Sequence, residues 1–256
     1  MCNTMPSSYF FKIKLPFAEL NPIMLLDRLS HLPGCIYLKN QDKPVLAVLP
    51  QAYCVLNNHG LTQFKRQTIT NYSATSLSNI DAFIEEHSPV NLPEDKTSVH
   101  KAGFHGGFMG FIDYDFSAAQ NIDINTSHQP HIFLGCYRSY LRFEDQQWMF
   151  YSIESDAEHI FNIICQSLNY HEQKQSFKLL QACTARWSKQ QYDQAFNQIQ
   201  DYIKAGDCYQ INLTQEFTAK AQGSLLDTAE KFWQLTNAPY FGYLKIDDFE
   251  LLSCSP

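Results

Sequence analysis

Tyr202-Ile203-Lys204-Ala205-Gly206-Asp207-Cys208-Tyr209-Gln210-Ile211-Asn212-Leu213 is the stretch on which the reading of this chain turns. Upstream of it, Ser188 and Gln191 stand three apart, the spacing of a capping box. Tyr192, Ala195, Phe196, Ile199, Tyr202 and Ile203 then mark one apolar face at helical spacing, which predicts a helix over 188–205. Gly206 fits the left-handed stop of that helix. Beyond it Tyr209, Ile211, Leu213 and Phe217 alternate with Gln210, Asn212 and Thr214, which predicts a strand with one apolar face and one amide-bearing face. Those amides either satisfy neighbouring backbone or bind a polar ligand, and periodicity alone leaves both readings open.

Working outward, the C-terminal side holds a pattern from Phe241 to Ser253 that reads as a hairpin turning at Asp247-Asp248. On the N-terminal side, Ser155 with Glu158 is a second capping-box pattern, followed by Ile160, Phe161, Ile164 and Leu168. Arg138–Phe143 and Gln147–Ile153 read as paired strands with Glu144-Asp145-Gln146 turning between them. Ser78–His87 reads as a short helix with Ser78 as cap and Ile80, Phe83 and Ile84 as its stripe. Asn21-Pro22 is a good helix start, with Leu25, Leu29 and Leu32 following and Pro33-Gly34 ending it. Apolar runs at Cys35–Leu38, Val45–Leu49 and Tyr53–Leu56, and a turn at Asn57-Asn58-His59-Gly60, read as an antiparallel meander. The stretch 88–101, with Pro89 and Pro93, reads as a surface loop, and 170–187 as a connector. Helices and strands do not alternate strictly, so the expected class is α+β with large, mostly antiparallel sheets.

Composition narrows the function. With 256 residues, 45% of them hydrophobic, the chain has ample core material, and 19 Phe with 14 Tyr exclude disorder as its main state. The net charge of -7 and the lack of basic clusters beyond patches such as Lys65-Arg66 argue against nucleic acid as a partner. No apolar run reaches the roughly 20 residues that span a bilayer, and Met1–Lys14 lacks the pattern of a signal peptide. Eight cysteines without a CxxC pair, most of them in apolar stretches, read as reduced, buried thiols of a cytoplasmic protein.

The usual nucleotide-binding, zinc-protease and serine-hydrolase motifs are absent. His128 and His131 read as solvated loop histidines, since no third metal ligand stands near. Asp113 and Asp115 would share one face of a strand and read as a solvent-facing pair, with an acid/base or metal role as the sharper alternative. Gly103-Phe104-His105-Gly106-Gly107-Phe108-Met109-Gly110-Phe111 packs glycines among aromatics; a close approach of strands explains that better than a phosphate cradle. Asn237-Ala238-Pro239-Tyr240-Phe241-Gly242-Tyr243 reads as a core corner, or as the wall of a flat ligand.

Taken together these segments resemble the chorismate-utilising enzymes, and among them component I of aminodeoxychorismate (para-aminobenzoate) synthase. Gly206, Asp207, Cys208, Tyr209, Gln210 and Asn212 match its GDCYQxNL signature, and Gly106, Gly107, Gly110, Tyr114 and Asp115 its GGxxGxxxYD segment. Arg28-Leu29-Ser30-His31-Leu32-Pro33, Ala238-Pro239-Tyr240-Phe241 and Leu252-Ser253-Cys254-Ser255-Pro256 match, in order, its first helix end, its APF turn and the start of its SxSPE motif.

The resemblance implies a sandwich of antiparallel sheets covered by helices. It implies replacement of the 4-hydroxyl of chorismate by an amino group, with ammonia from a glutamine amidotransferase subunit and Mg2+ holding the substrate carboxylates. It also implies that 1–170 is the N-terminal region and that 186–256 begins the chorismate-binding domain. The family's acid/base glutamate, its PIKGT lysine and its Mg2+-binding glutamates fall after Pro256, so no catalytic or metal-binding residue is assigned here. The chain therefore reads as an N-terminal portion, inactive alone and exposing apolar faces.

Some members bind tryptophan, and the carry-over gives Asn40, Asp42, Lys43, Pro44 and Val45 on a loop and Pro239, Tyr240 and Phe241 on the turn. The loop is shorter than the family's and lacks its serine and arginine, which implies an empty or vestigial site. Component I of anthranilate synthase is the alternative enzyme, and a non-catalytic module for an aromatic amino acid or a partner is the alternative class.

Overall fold

A side chain that caps a helix and a proline that cannot donate start the first helix as expected. After β1 (Phe11–Lys14), Asn21 Oδ1 accepts the Met24 N–H at 2.8 Å and Pro22 takes the first helical turn of α1 (Pro22–Leu29). Leu25, Leu26 and Leu29 are its buried face. The computed structural model describes residues 11–17, 20–40, 43–88, 103–118, 122, 129–169 and 175–254. They fall into two compact units, Met1–Glu172 with Thr228–Pro256, and Gln173–Asp227.

In the first unit β2 (Cys35–Asn40) and β3 (Val45–Ala47) pair antiparallel, and β4 (Ala52–Asn57), β5 (Gly60–Arg66) and β6 (Tyr72–Ser76) form a meander. Next come α2 (Ile80–His87), β7 (Gly107–Ile112), the short α3 (Tyr114–Ala118) and β8 (Ile132–Tyr137). β9 (Ser139–Glu144) and β10 (Gln147–Ser152) form a hairpin closed by Asp145 and Gln146 at φ 48° and 63°, the two positive angles of a type I′ turn. α4 (Ala157–Asn169) completes the first run.

The second unit holds β11 (Lys178–Leu179), β12 (Thr184–Ala185), α5 (Lys189–Ala205), β13 (Phe217–Thr218) and β14 (Ala221–Gln222), paired as β11 with β14 and β12 with β13. The boundary between units passes through α6 (Leu226–Thr236), after which β15 (Tyr240–Ile246) and β16 (Phe249–Ser253) return to the first unit.

Two antiparallel sheets result, in the orders β1-β10-β9-β3-β2-β15-β16 and β6-β5-β4-β8-β7. Between them lies an aromatic-rich core: Ile36, Val45, Ala47, Tyr140, Tyr151, Leu244 and Ile246 from the first meet Tyr53, Met109, Phe133 and Tyr137 from the second. The far face of the five-stranded sheet is covered by α2, with Phe83 packed on Ala52, Cys54 and Cys136. The far face of the seven-stranded sheet carries α4, whose Phe161 ring meets Phe11 and Phe150, and the part of α6 that holds Trp233. This is the expected α+β sandwich of antiparallel sheets covered by helices.

The details differ where local signals compete. The expected single meander from Cys35 to Leu61 is shared between two sheets: the chain leaves one after β3 and enters the other at β4. Asn79, not Ser78, caps α2, accepting the Ala82 N–H at 2.8 Å, because the longer amide reaches that donor. α4 begins at Ala157, two residues past Ser155, after a turn in which Ala157 N–H donates to Glu154 O. Of the described cysteines Cys35, Cys54 and Cys136 are buried as expected, but Cys183 is exposed and Cys165, Cys208 and Cys254 are half-buried. Among the described residues no helix is long and apolar enough to cross a membrane. Cys2, Asp42, His128, the 89–101 part of the expected loop, Ser255 and Pro256 lie outside the described residues.

Gly110 shows why the glycine segment takes the form it does. A Cβ there would stand 1.9 Å from the Phe133 carbonyl oxygen across the β7–β8 pair. The close-approach reading of that segment therefore holds. Gly110→Ala should force these strands apart and lower stability by roughly 3 kcal/mol, at the upper end of overpacking costs, read as a fall in the urea midpoint at unchanged m-value.

Candidate functional site

The glycine segment is held to the seven-stranded sheet by a buried cation. Arg142, 8% exposed, donates from Nη1 to Phe104 O at 3.2 Å and forms an ion pair with Glu144. Tyr151 donates its hydroxyl to Glu144 Oε2 at 2.6 Å, and Lys12 Nζ lies 3.7 Å from the same oxygen. Burial by itself would raise the Glu144 carboxyl; the Tyr151 hydrogen bond and the charges of Arg142 and Lys12 outweigh it and hold the group below the usual carboxylate range.

At the other end of β7 the two aspartates part. Asp113 Oδ1 accepts the Phe116 N–H at 2.7 Å, and its Oδ2 meets His131 Nδ1 at 2.8 Å. His131 Nε2 lies 3.0 Å from Asn58 Oδ1. His131 is only 7% exposed, so the expectation of a solvated histidine fails, and so does that of a solvent-facing Asp113. The reason is the chain reversal after β7, which turns Asp113 back to cap the next helix while β8 brings His131 beside it. Asp115 sits in the first turn of α3, and Tyr114 is 84% exposed. Gly106 and Gly107, at φ 96° and 128°, lead into the strand.

In the second unit Ser188 and Gln191 form the full capping box, and Gly206 closes α5 at φ 84°, with its N–H on Ile203 O and Tyr202 O. The predicted strand after it does not form. Residues 208–216 are irregular, and strand structure begins only at Phe217. The alternating pattern is real, but among the described residues no neighbour offers 208–216 a ladder, and a strand without one has nothing to hold it. Tyr209 is 92% exposed, Ile211 43%, and Gln210 Nε2 donates to Asn212 Oδ1 at 3.3 Å. Asp207 lies exposed beside them and Cys208 is half-buried. The apolar face of α5 has no buried residue.

The turn and loop residues carried over as a tryptophan site meet where β2 pairs with β15, Asn40 opposite Tyr240 and Lys39 opposite Phe241. Pairing alternates faces, so the set is divided. Val45 belongs to the core between the sheets. Phe241 lies on the opposite face, where its ring stacks on Trp233 at 4.2 Å and meets Tyr37 at 6.2 Å. Lys39 Nζ stands 4.9 Å over the Phe241 ring, and Pro44 is buried. Pro239, Tyr240, Lys43 and Asn40 are exposed. Tyr37 and Trp233 are the members that the sequence reading missed; Leu226, Ala229 and Trp233, all buried, recur at i, i+3 and i+7 and could have revealed their helix.

Among the described residues no group of three or more His, Cys, Asp or Glu side chains is placed to hold a metal ion.

Glu144 gives this region a measurable pH signature. Its carboxyl ionises at lower pH in the folded protein than in the unfolded chain, so it stabilises the fold above about pH 4.3 and loses that contribution as the pH falls further. Glu144→Gln should be less stable than wild type at pH 7, and the gap should narrow between about pH 5 and pH 3 in urea titrations.

Comparison with known proteins fits this geometry. Residues 34–256 match the chorismate binding enzyme family. Aminodeoxychorismate synthase component 1 of Escherichia coli (strain K12) is 26% identical over 240 residues, covering 90% of this chain and 52% of that protein. The protein of the same name from Salmonella typhimurium is 28% identical over 159 residues, covering 60% of this chain and 34% of its own length. The chain thus spans about half the length, or less, of these curated relatives. The crystal structure of anthranilate synthase component I from Streptococcus pneumoniae TIGR4 superposes with a TM-score of 0.62 at 19% identity, covering 100% of this chain and 58% of that one, a likeness of fold. With its two antiparallel sheets, its glycine-bearing β7 and a family match that runs from Gly34 to Pro256, this chain belongs to the chorismate binding enzyme family.

Proposed function

We propose that this chain is the N-terminal portion of an aminodeoxychorismate synthase component I, which aminates chorismate to 4-amino-4-deoxychorismate for folate synthesis. The observation that carries the reading is the family match over residues 34–256, with Gly206-Asp207-Cys208-Tyr209-Gln210-Ile211-Asn212-Leu213 inside it. Relatives bearing that enzyme's name, from several organisms, support the aminating type. A match to a protein called anthranilate synthase component I-like, 25% identical over 194 residues, keeps the anthranilate product as the second reading.

In this reading the ammonia comes from a glutamine amidotransferase subunit in the cytoplasm, and Mg2+ is held by residues downstream of Pro256. The reactive glutamate and lysine lie downstream too, so residues 1–256 contribute scaffold and signature, not the reacting groups. The test is an assay of chorismate with ammonium and Mg2+, products separated by chromatography. Protein extended through the PIKGT segment should yield aminodeoxychorismate, and residues 1–256 alone should yield nothing. Anthranilate as the product would replace the first reading with the second.

The tryptophan site is proposed to be vestigial. Its described carried-over residues are split between two faces of one sheet, and the loop is shorter than the family's. Calorimetry of the full-length protein with tryptophan should detect no tight binding; sub-micromolar affinity would show that the short loop still works.

A further inference from the structure

β6 is the last strand of the five-stranded sheet, so one of its sides meets no further strand among the described residues. The hydrogen bonds around it fix which residues face that free side. Gln67 N–H donates to Asn71 O at 2.9 Å and Leu77 N–H to Leu61 O at 3.0 Å, at the two ends of the β5–β6 ladder. Bonded pairs recur at every second residue of an antiparallel ladder, so Ser73 and Thr75 also bond inward to β5. Tyr72, Ala74 and Ser76 therefore turn their backbone N–H and C=O outward, a template for another strand. Ala74, Thr75 and Ser76 are exposed, and no side chain from Ser73 to Ser76 is larger than threonine. No charged residue stands between Arg66 and Asp81. The other outer strands each carry something that discourages pairing: Lys12 and Lys14 on β1, Gly107 and Gly110 on β7, Glu250 on β16.

We propose that β6 pairs antiparallel with the β6 of a second copy of this chain, about a twofold axis at Ala74, joining their five-stranded sheets into one. A twofold interface must be self-complementary, and this edge meets that demand. Ala74 stands opposite the partner's Ala74, and Tyr72 opposite the partner's Ser76. The ladder then gains about six backbone hydrogen bonds, an N–H and a C=O from each outward residue. Ser73 and Thr75 lie across from Lys65 and Gln63, on the side covered by α2, where Gln63 Nε2 donates to Glu86. There Ser73 meets the partner's Thr75, a pair of short side chains whose hydroxyls can bond across the strands. Charge selects the occupant. Chains of net charge -7 repel, and an uncharged edge lets two of them meet without like charges opposite each other. So short a contact belongs to the weak, reversible class. It does not depend on the chorismate reading, and the two are tested separately.

Sedimentation velocity of the full-length protein over a concentration series is the test. Wild type should move from monomer toward dimer as concentration rises. Ala74→Pro removes only an outward N–H, which an edge strand tolerates, and Ala74→Lys sets two ammonium groups opposite each other on the axis. Each should weaken self-association by about tenfold or more, the effect of losing two hydrogen bonds between the copies or of a like-charge pair. Both leave the bonds to β5 in place, so their melting, measured at a dilution where wild type is monomeric, separates lost pairing from misfolding. The register has its own readout. In a Cys183→Ser background, Ala74→Cys should form a dimer-linking disulfide under mild oxidation much faster than Thr75→Cys, because only position 74 meets itself across the axis. A wild type that stays monomeric at every concentration, self-association unchanged in both variants, or equal cross-linking at 74 and 75 would overturn the assignment.

Discussion

Two antiparallel sheets must bury one face each against the other, and large aromatic side chains fill the space between them. Tyr137 is completely buried there and its hydroxyl donates to Gly34 O at 2.6 Å, tying β8 to the turn that precedes β2. Tyr53 stacks on Phe64 at 4.7 Å, and Tyr140 on Tyr151 at 5.3 Å. Because aromatic rings carry so much apolar area, this layer sets which faces of β2, β9 and β15 turn inward. The opposite faces of the same strands are left to α4 and α6. Phe241, Lys39 and Tyr37 lie where they do because Gly242, Leu38 and Ile36 occupy the alternate positions.

Among the described residues, Arg66 with Glu154 and Arg142 with Glu144 carry charge into this interior as ion pairs. Arg66 reaches across from β5 to Glu154, both nearly buried, and Glu154 also accepts from the Ser139 hydroxyl at 2.8 Å. Burial raises the Glu154 carboxyl despite the guanidinium beside it, so its ionised form is held at a desolvation cost. The Arg142–Glu144–Tyr151 group falls on the other side of that balance: it is wetter, has more donors, and keeps its carboxylate ionised more easily. One pair links the two sheets near Leu49; the other fastens the glycine segment, which is how a chain with few positive charges uses two of them for architecture.

The second unit shows the limit of local pattern. Alternation at Tyr209, Ile211 and Leu213 is the ordinary mark of a strand, yet these residues stay irregular and largely exposed because backbone donors need a partner strand and none is supplied among the described residues. The apolar stripe of α5 is likewise formed but uncovered. Periodicity reports what a segment is suited to bury, not what it meets.

What the sequence determined by itself was local: the Asn21-Pro22 start, the Ser188–Gln191 box, the Gly206 stop and the Asp145-Gln146 hairpin all form as read, because each depends on atoms a few residues apart. The signature residues that point to the family were legible for the same reason. Tertiary structure alone decided the rest. It placed β3 and β4 in different sheets, turned Asp113 onto His131, and divided the residues around Asn40 and Phe241 between two faces. It also brought Trp233 onto Tyr37, nearly two hundred positions away in sequence, through the pairing of β2 with β15. Such contacts follow from which strands become neighbours, and that choice is made by burial of the whole aromatic layer, a property no short window of sequence contains.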